Sequence, residues 1–163
     1  MVYNTPMIER KPGKFWVLHD IEQMPDGLYD VTPHHITLLP PIKLNEPPFD
    51  YIQDIQEIAA RTQPFAIMPG EKDMFGPNND IEVQKIKDPG LSLKAVHIRL
   101  LNQLGIRGLA AGLPLEYTGE NYNPHSTTTS SMPELPRVIS VSNISWYYAT
   151  GEGKWLTRIT LGK

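Results

Sequence analysis

The sequence predicts a mixed α+β fold in one domain that spans residues 1–163, and three observations support this prediction. Several short runs are apolar or alternate between apolar and polar residues, a pattern that is typical of strands. Two longer stretches carry apolar residues three and four positions apart, which is typical of amphipathic helices. These elements follow one another in the order β-β-α-β-β-α-β-β-β, so strands and helices mix along one chain.

The strands are predicted from apolar runs that end at turn residues. Before the C-terminal region they lie at 14–21, 34–41, 64–70 and 80–87. The stretch between the last two reads as a polar turn that carries one aromatic residue, Phe75. An extended patch is predicted at 124–129 within a polar, turn-rich region. The tail at 137–162 predicts two or three further strands, joined at the turn sequence TGEGK.

Two helices are predicted, at 48–63 and 89–105. Pro48 suits the start of the first helix and Pro64 follows its end, while Gly105 is a natural stop for the second. The apolar stripe of the first helix is Phe49, Ile52, Ile55, Ile58 and Ala59, and that of the second is Leu93, Val96, Leu100, Leu101 and Leu104.

Composition excludes several classes of function. Cysteine is absent, which excludes disulfides, thiol catalysis and cysteine-ligated metals. The net charge of −3 argues against a protein that binds long duplex nucleic acid, since such proteins usually have a basic surface. No apolar run is long enough for a membrane span, and no signal peptide is recognised at the N-terminus. We therefore expect a cytoplasmic protein with no membrane partner.

Two copies of a His-x-Thr pattern are the main functional signal. His35 and Thr37 lie in TPHHITLLP, and His125 and Thr127 lie in YNPHSTTT. Random placement of the five histidines gives on the order of 0.3 such matches, so two copies are unusual. Residues i and i+2 of a strand project from the same face, so each histidine is expected beside its threonine.

Two imidazoles and two hydroxyls around one cleft suit phosphodiester chemistry without a metal. One neutral imidazole can take a proton from the attacking hydroxyl or water, and an imidazolium can give a proton to the leaving oxygen. The threonine hydroxyls can donate hydrogen bonds to the non-bridging phosphate oxygens. Which histidine is the acid and which the base depends on the direction of the reaction.

The paired motifs resemble those of the two-histidine (2H) phosphoesterase superfamily, which includes 2′-5′ RNA ligase-like proteins and 2′,3′-cyclic nucleotide phosphodiesterases. The resemblance extends to the segments PFAIMPGEKDMFG, LSLKAVHIRLLNQLG and VISVSNISWYY. It implies a bilobal fold in which two similar halves, each with an antiparallel sheet and outer helices, flank a central cleft. The second motif departs from the family, because Ser126 and Thr128 stand where apolar residues are usual.

The resemblance implies four catalytic residues, and we expect neither a metal nor a cofactor. His35 and His125 become the general acid and base, and Thr37 and Thr127 the hydroxyls that orient the phosphate. A buried strand histidine and a solvated Ser/Thr-rich loop are the alternative interpretations of the two motifs. No His-x-x-x-H or His-carboxylate spacing predicts a metal site.

Other residues are candidates for roles around the cleft. Four aromatic residues could stack on a base, with packing as the alternative: Phe75, Tyr117, Tyr122 and Trp155. Three cationic residues could pair with a phosphate, and the sequence does not favour one of them over the others: Lys43, Arg99 and Arg107. Of the remaining histidines, His34 is expected at the surface, His19 outside the cleft, and His97 in a structural or surface position.

The leading functional hypothesis is a metal-independent phosphodiesterase. Its substrate would be a small nucleotide or cyclic oligonucleotide with a 2′,3′-cyclic, 2′-5′ or 3′-5′ phosphodiester. Some phage members of the superfamily cleave cyclic oligonucleotide immune signals in the host cytoplasm, and this branch is one expectation. The alternatives are an enzyme that processes 2′,3′-cyclic phosphates on RNA ends or joins 2′-5′ linkages, and a non-catalytic nucleotide-binding module.

Overall fold

The computed structural model describes residues 8, 10–106, 108–128, 132 and 134–163. In this part of the chain there are nine strands: β1 (Gly13–Asp20), β2 (Gly27–Tyr29), β3 (His35–Leu44), β4 (Phe65–Phe75), β5 (Ile81–Lys87), β6 (His125–Thr127), β7 (Ile139–Val141), β8 (Asn143–Thr150) and β9 (Gly153–Thr160). The helices are α1 (Phe49–Ala60) and α2 (Ser92–Ile106), and short 3-10 turns follow α2 at Leu109–Gly112, Leu115–Tyr117 and Gly119–Asn121. The predicted α+β class is confirmed.

The strands form two antiparallel sheets whose edges meet. The first sheet has the order β2-β9-β8-β1-β3, and the second has the order β6-β5-β4-β7. β3 and β6 are therefore edge strands, and they contact each other where the two sheets come together. The first sheet combines strands from both ends of the chain, so the two sequence halves do not correspond one to one to the two sheets.

The main hydrophobic core lies between the two helices and one face of each sheet. It includes Phe15 and Val17 from the first sheet, Ile67 from the second, and Ile55 and Leu100 from the helices. Alternate residues of a strand project from opposite faces, and the opposite face of the first sheet carries a second cluster. That cluster consists of Trp16, Leu18, Tyr147 and Leu156, with Met24 and Tyr29 packed against it.

Two strand predictions need correction. The stretch predicted as a polar turn at 71–80 continues β4 as far as Phe75, and the turn is confined to the residues after it. The extension was missed because its residues do not alternate: Glu71, Lys72 and Asp73 are all charged, and Met74 is 44% exposed. The segment between the predicted strands 14–21 and 34–41, for which no strand was predicted, contains the short strand β2, which pairs with β9 through only three residues.

Proline does not end β3, although the prediction closed this strand at 41. Pro40 and Pro41 both lie within β3, which runs on to Leu44. Proline has no amide hydrogen to donate, but an edge strand has a neighbour on one side only, and Pro40 and Pro41 are unpaired at a break in the register with β1. The edge position of β3 thus explains a run of residues that the sequence alone could not assign.

Both helices are confirmed, with shifted ends. Phe49 opens α1 but is 41% exposed, so the predicted apolar stripe is correct from Ile52 onward and wrong for Phe49. α2 begins at Ser92, where the Asp88 carboxylate accepts a hydrogen bond from the Ser92 amide at 2.9 Å. It continues past Gly105, and the left-handed glycine after it is Gly108, with φ +96°.

Within the described residues, no helix has both the length and the apolar character needed to cross a bilayer.

Candidate active site

The first His-x-Thr motif lies on β3 with the predicted alternation. Ile36 and Leu38 are fully buried in the main core, whereas His35 and Thr37 are half-buried on the opposite face. The Nδ1 atom of His35 lies 2.7 Å from the carbonyl oxygen of Pro33. A carbonyl can only accept, so Nδ1 carries the proton and the Nε2 atom is directed away from the backbone.

The second motif repeats this arrangement on β6. His125 and Thr127 project from one face, and Ser126 is buried on the other. The Nδ1 atom of His125 donates to the carbonyl of Asn123 at 2.7 Å, again two residues before the histidine. Among the described residues no hydrogen bond engages the Nε2 atom of either His35 or His125. Both imidazoles therefore present the same free nitrogen to a ligand.

The polar residues Ser126 and Thr128, at positions where the family usually has apolar residues, have a structural explanation. Ser126 takes the inward position of a strand that is only three residues long and lies at a sheet edge. Its buried hydroxyl has no hydrogen-bond partner among the described residues. The Thr128 hydroxyl lies outside the strand and donates to the Glu82 carboxylate at 2.9 Å.

The two motifs are close enough to interact electrostatically. β3 contacts β6 directly, and a positive charge on His125 lowers the pKa of His35. The largest cause of the lowered pKa of His35 is burial, which penalises the imidazolium. The carboxylate of Asp20 opposes this effect, as does the hydrogen bond to Pro33. His35 is therefore neutral at pH 7, with an unprotonated Nε2 that can accept a proton.

Two charged residues that the sequence did not single out lie across from the histidines. Asp20 of β1 pairs with His35, and Lys85 of β5 pairs with His125. Opposing residues of an antiparallel pair project from the same face, so a carboxylate flanks one imidazole and an ammonium the other. Lys85 is held by Asp73 at 2.8 Å. These neighbours become visible only from the register of the paired strands, which the sequence pattern does not predict.

Of the four aromatic candidates, Phe75 contacts a histidine of the two motifs. Its ring contacts that of His125 edge-on, with centroids 4.7 Å apart. Tyr117 is 57% exposed on a 3-10 turn. Trp155 pairs with Tyr148 and packs against the main core, on the face opposite His35, which does not fit a base-binding role.

Tyr122, the fourth candidate, is engaged within the protein. One face of its ring stacks on His97, and its hydroxyl donates to the carbonyl of Thr37 at 2.9 Å. Burial raises the pKa of Tyr122 far above that of a free tyrosine. The ring connects the segment before β6 to β3.

The remaining histidines lie outside the pair of motifs. His34 is 4% exposed, so its predicted surface position is wrong: the chain folds back over it, and its carbonyl accepts from the Ile21 amide. His19 is buried on the core face and donates to the Asn143 carbonyl at 3.0 Å. His97 is buried on α2.

The three cations considered from sequence are not assembled at the motifs. Lys43 is exposed on β3 opposite Lys14, and Arg99 donates to the Thr62 hydroxyl at 3.3 Å. Arg107 lies outside the described residues. In the part of the chain that the structure describes, no group of three or more potential metal-ligating side chains comes together.

Comparison with known proteins identifies the family. The sequence model of the 2′-5′ RNA ligase superfamily matches residues 10–148. The chain belongs to this superfamily. The resemblance inferred from the His-x-Thr motifs is thereby confirmed, although a comparison with curated proteins finds no match.

Solved structures of related architecture agree with the superfamily assignment. Escherichia coli LigT in its apo form superposes with a TM-score of 0.59 at 15% identity, over 94% of this chain and 99% of LigT. TT0787 of Thermus thermophilus gives 0.58 at 16% identity, over 91% and 98%. LigT in complex with 3′-AMP gives 0.56 at 14% identity, over 94% and 100%. At such identities these matches establish the shared fold.

Acid is expected to destabilise this superfamily member below about pH 6.5. Burial is the largest cause of the lowered pKa of four histidines, His19, His34, His35 and His97. In the unfolded chain they bind protons near pH 6.5, so between the lowered and the ordinary pKa the unfolded state holds more protons. This stability is fully present above pH 6.5 and is lost as the pH falls through that window.

Urea unfolding at pH 8.0, 6.5 and 5.0 measures this effect. The midpoints should decrease toward pH 5.0, and His19→Asn, which removes one buried titrating ring, should make the decrease smaller. Midpoints that stay constant, or rise, between pH 8.0 and 5.0 would contradict the prediction.

Proposed function

We propose that the chain is a metal-independent phosphodiesterase that acts on small or cyclic nucleotides. One observation carries the proposal: two imidazoles are fixed by the same Nδ1-to-carbonyl bond on touching edge strands, each with a threonine two residues on. Two matched, unengaged Nε2 atoms can serve one phosphate as base and acid. The buried His97, by contrast, has both of its ring nitrogens bonded within the protein.

The proposed step is an in-line displacement at phosphorus. Water attacks the phosphorus of a 2′,3′-cyclic phosphate while the Nε2 atom of His35 takes one of its protons. The bond from phosphorus to one ribose oxygen breaks, and that oxygen receives a proton from the Nε2 atom of His125. Burial favours His35 as the base, because the pKa of this group is lowered. The reverse reaction exchanges the two roles.

The threonines are proposed to bind the phosphate rather than to transfer protons. Thr37 and Thr127 project from the same faces as His35 and His125, so their hydroxyls can donate to the non-bridging oxygens. Negative charge accumulates on these oxygens in the transition state, and a hydrogen bond already in place stabilises it without reorganisation.

A small substrate fits the charges around the motifs better than long RNA does. The net charge is −3, and Lys85, the cation opposite His125, already pairs with Asp73 and Glu71. Such a surface offers little attraction to a polyphosphate backbone. LigT has been solved in complex with 3′-AMP, ATP and NADP+, all small nucleotides, and we extend the binding of such nucleotides to the present chain. Cyclic oligonucleotides with 2′-5′ or 3′-5′ linkages are included in the proposal.

A turnover assay in EDTA tests the proposed function. The substrates are 2′,3′-cyclic AMP, cyclic di- and trinucleotides, a 2′-5′ dinucleotide and an RNA that ends in a 2′,3′-cyclic phosphate. We expect hydrolysis of one or more of the small substrates with EDTA present. Faster turnover of the RNA would favour RNA-end processing, whereas binding without turnover of any substrate would indicate a nucleotide-binding module and contradict the proposal.

Phe75 is proposed to hold the nucleobase beside His125. Stacking of a base on an aromatic ring contributes about 1–3 kcal/mol, so Phe75→Ala is expected to raise KM about tenfold with a smaller change in kcat. Phe75→Leu, which keeps apolar volume, should recover only part of the affinity. Phe49→Ala removes an exposed ring on α1 and is the control. A KM for Phe75→Ala equal to that of the wild type would exclude this role, and Tyr117→Ala then tests the second exposed ring.

A further inference from the structure

The two motifs are joined by a pair of stacked rings that belong to neither of them. His97 on α2 and Tyr122, which precedes β6, lie with ring centroids 4.1 Å apart and an interplanar angle of 8°. His97 is completely buried. A buried histidine must be neutral or fully bonded to avoid a large desolvation cost, so its partners define what it does.

Both nitrogens of His97 are bonded, and together they fix one tautomer. Nδ1 lies 2.7 Å from the carbonyl oxygen of Leu38, and Nε2 accepts from the amide of Gly119 at 2.9 Å. Because the carbonyl cannot donate and the amide cannot accept, the proton must be on Nδ1. Burial also lowers the pKa of His97, in agreement with a neutral ring. His97 thus connects β3 to the segment that leads into β6.

Tyr122 makes a second connection between the same two segments. Its hydroxyl donates to the carbonyl of Thr37 at 2.9 Å, so a residue three positions before His125 binds the backbone of the first motif. The Thr37 and Leu38 carbonyls are adjacent on β3, at a break in the register with β1. Leu18 pairs with Thr37 and Val17 with Leu39, which leaves Leu38 as the extra residue of a β-bulge. Bulges re-aim neighbouring side chains and often occur beside active sites.

We propose that His97 and Tyr122 are positioning residues that hold the His35–Thr37 strand and the His125–Thr127 strand at the separation needed for both imidazoles to reach one phosphate. The proposal rests on the proposed function. The two side chains bind adjacent carbonyls of the first motif, and they reach the second motif through the chain at 119–122. Displacements of about 1 Å at reacting groups can lower rates by about 10²-fold, so loss of these bonds should affect the chemical step.

The test compares conservative variants that each remove one connection. Tyr122→Phe deletes the hydroxyl and keeps the stacked ring. His97→Phe keeps a ring but deletes both hydrogen bonds, and His97→Asn restores a donor near the Nδ1 position. Tyr148→Phe is the matched control, because this buried tyrosine also donates to a backbone carbonyl, that of Lys11, but lies in the main core away from β6.

We expect kcat to fall about tenfold in Tyr122→Phe, with KM changed less than twofold, in folded protein well below the unfolding temperature. His97→Phe should lose more than His97→Asn. Tyr148→Phe should lower the unfolding temperature but leave kcat within twofold. Wild-type kcat in Tyr122→Phe, or an equal fall of kcat in Tyr148→Phe, would overturn the proposal.

Nuclear magnetic resonance separates this proposal from the proposed function. If the wild type turns over no phosphodiester, the proposed function is wrong. The positioning of the two motif strands by His97 and Tyr122 can still be tested from ring and amide signals. Shifts in the His35 and His125 ring signals in Tyr122→Phe, absent in Tyr148→Phe, would support a connection between the motifs. Unchanged signals in Tyr122→Phe, or a His97 ring protonated on Nε2 in the wild type, would overturn it.

Discussion

Replacement of His35 or His125 by alanine is expected to lower kcat/KM for a 2′,3′-cyclic nucleotide by about 10²- to 10⁴-fold, the usual contribution of a general acid or base. Each variant keeps one imidazole, so either the base that deprotonates the attacking water or the acid that protonates the leaving oxygen is lost. Because the two act on the same transition state, the double variant should lose much less than the product of the single losses. Initial rates with matched enzyme concentrations measure all three.

His34→Asn is the matched control for this prediction. His34 is adjacent to His35, but it precedes β3 and is almost fully buried, and its Nε2 has no partner among the described residues. The control should lose stability and keep its catalytic rate once folded. Activity near the wild-type value in either His35→Ala or His125→Ala would rule out the two-histidine mechanism.

Replacement of the threonines by valine is expected to have the second largest effect. Thr37→Val keeps the branched shape and removes one donor to the phosphate, which should lower kcat by about 10²-fold. Thr127 is more exposed to water than Thr37, so water can partly replace its hydroxyl, and the loss should be nearer tenfold. The same assay, carried to substrate saturation, separates kcat from KM.

Two variants serve as controls for the threonines. Thr37→Ser retains the hydroxyl and should recover most of the rate. Thr128→Val removes the neighbouring hydroxyl, which binds Glu82 instead of facing the cleft, and should leave kcat unchanged. Equal rates for Thr37→Val and Thr37→Ser would show that the hydroxyl is not used.

The sequence predicted those features that depend on local periodicity. Alternation along 34–41 placed His35 and Thr37 on one face and Ile36 on the other, and the structure has this arrangement. The stripe of α2 was recognised because Leu93, Val96 and Leu100 pack on one side of a long helix. Such patterns are reliable because each strand or helix buries one face, and the period of its apolar residues matches that face.

Features that depend on register and on long-range contacts were not predictable. His34 was expected at the surface, since a strand pattern shows which face a residue takes but not what covers that face. Asp20 and Lys85 face the two histidines only because of strand pairing. Tyr122 looked like an aromatic surface for a base, and its bond to Thr37 spans 85 positions. No local pattern predicts a partner at that distance.

The strand order of the first sheet also determines when the His35 strand can reach its folded environment during synthesis. β1, which supports the His35 strand on one side, has β8 on its other side, and their contacts join residues such as His19 and Asn143, 124 positions apart. Closure of so long a loop is slow compared with local structure. A nascent chain therefore carries His35 long before β8 and β9 have been synthesised, and the sheet beside the His35 strand is complete only once these two strands can pair.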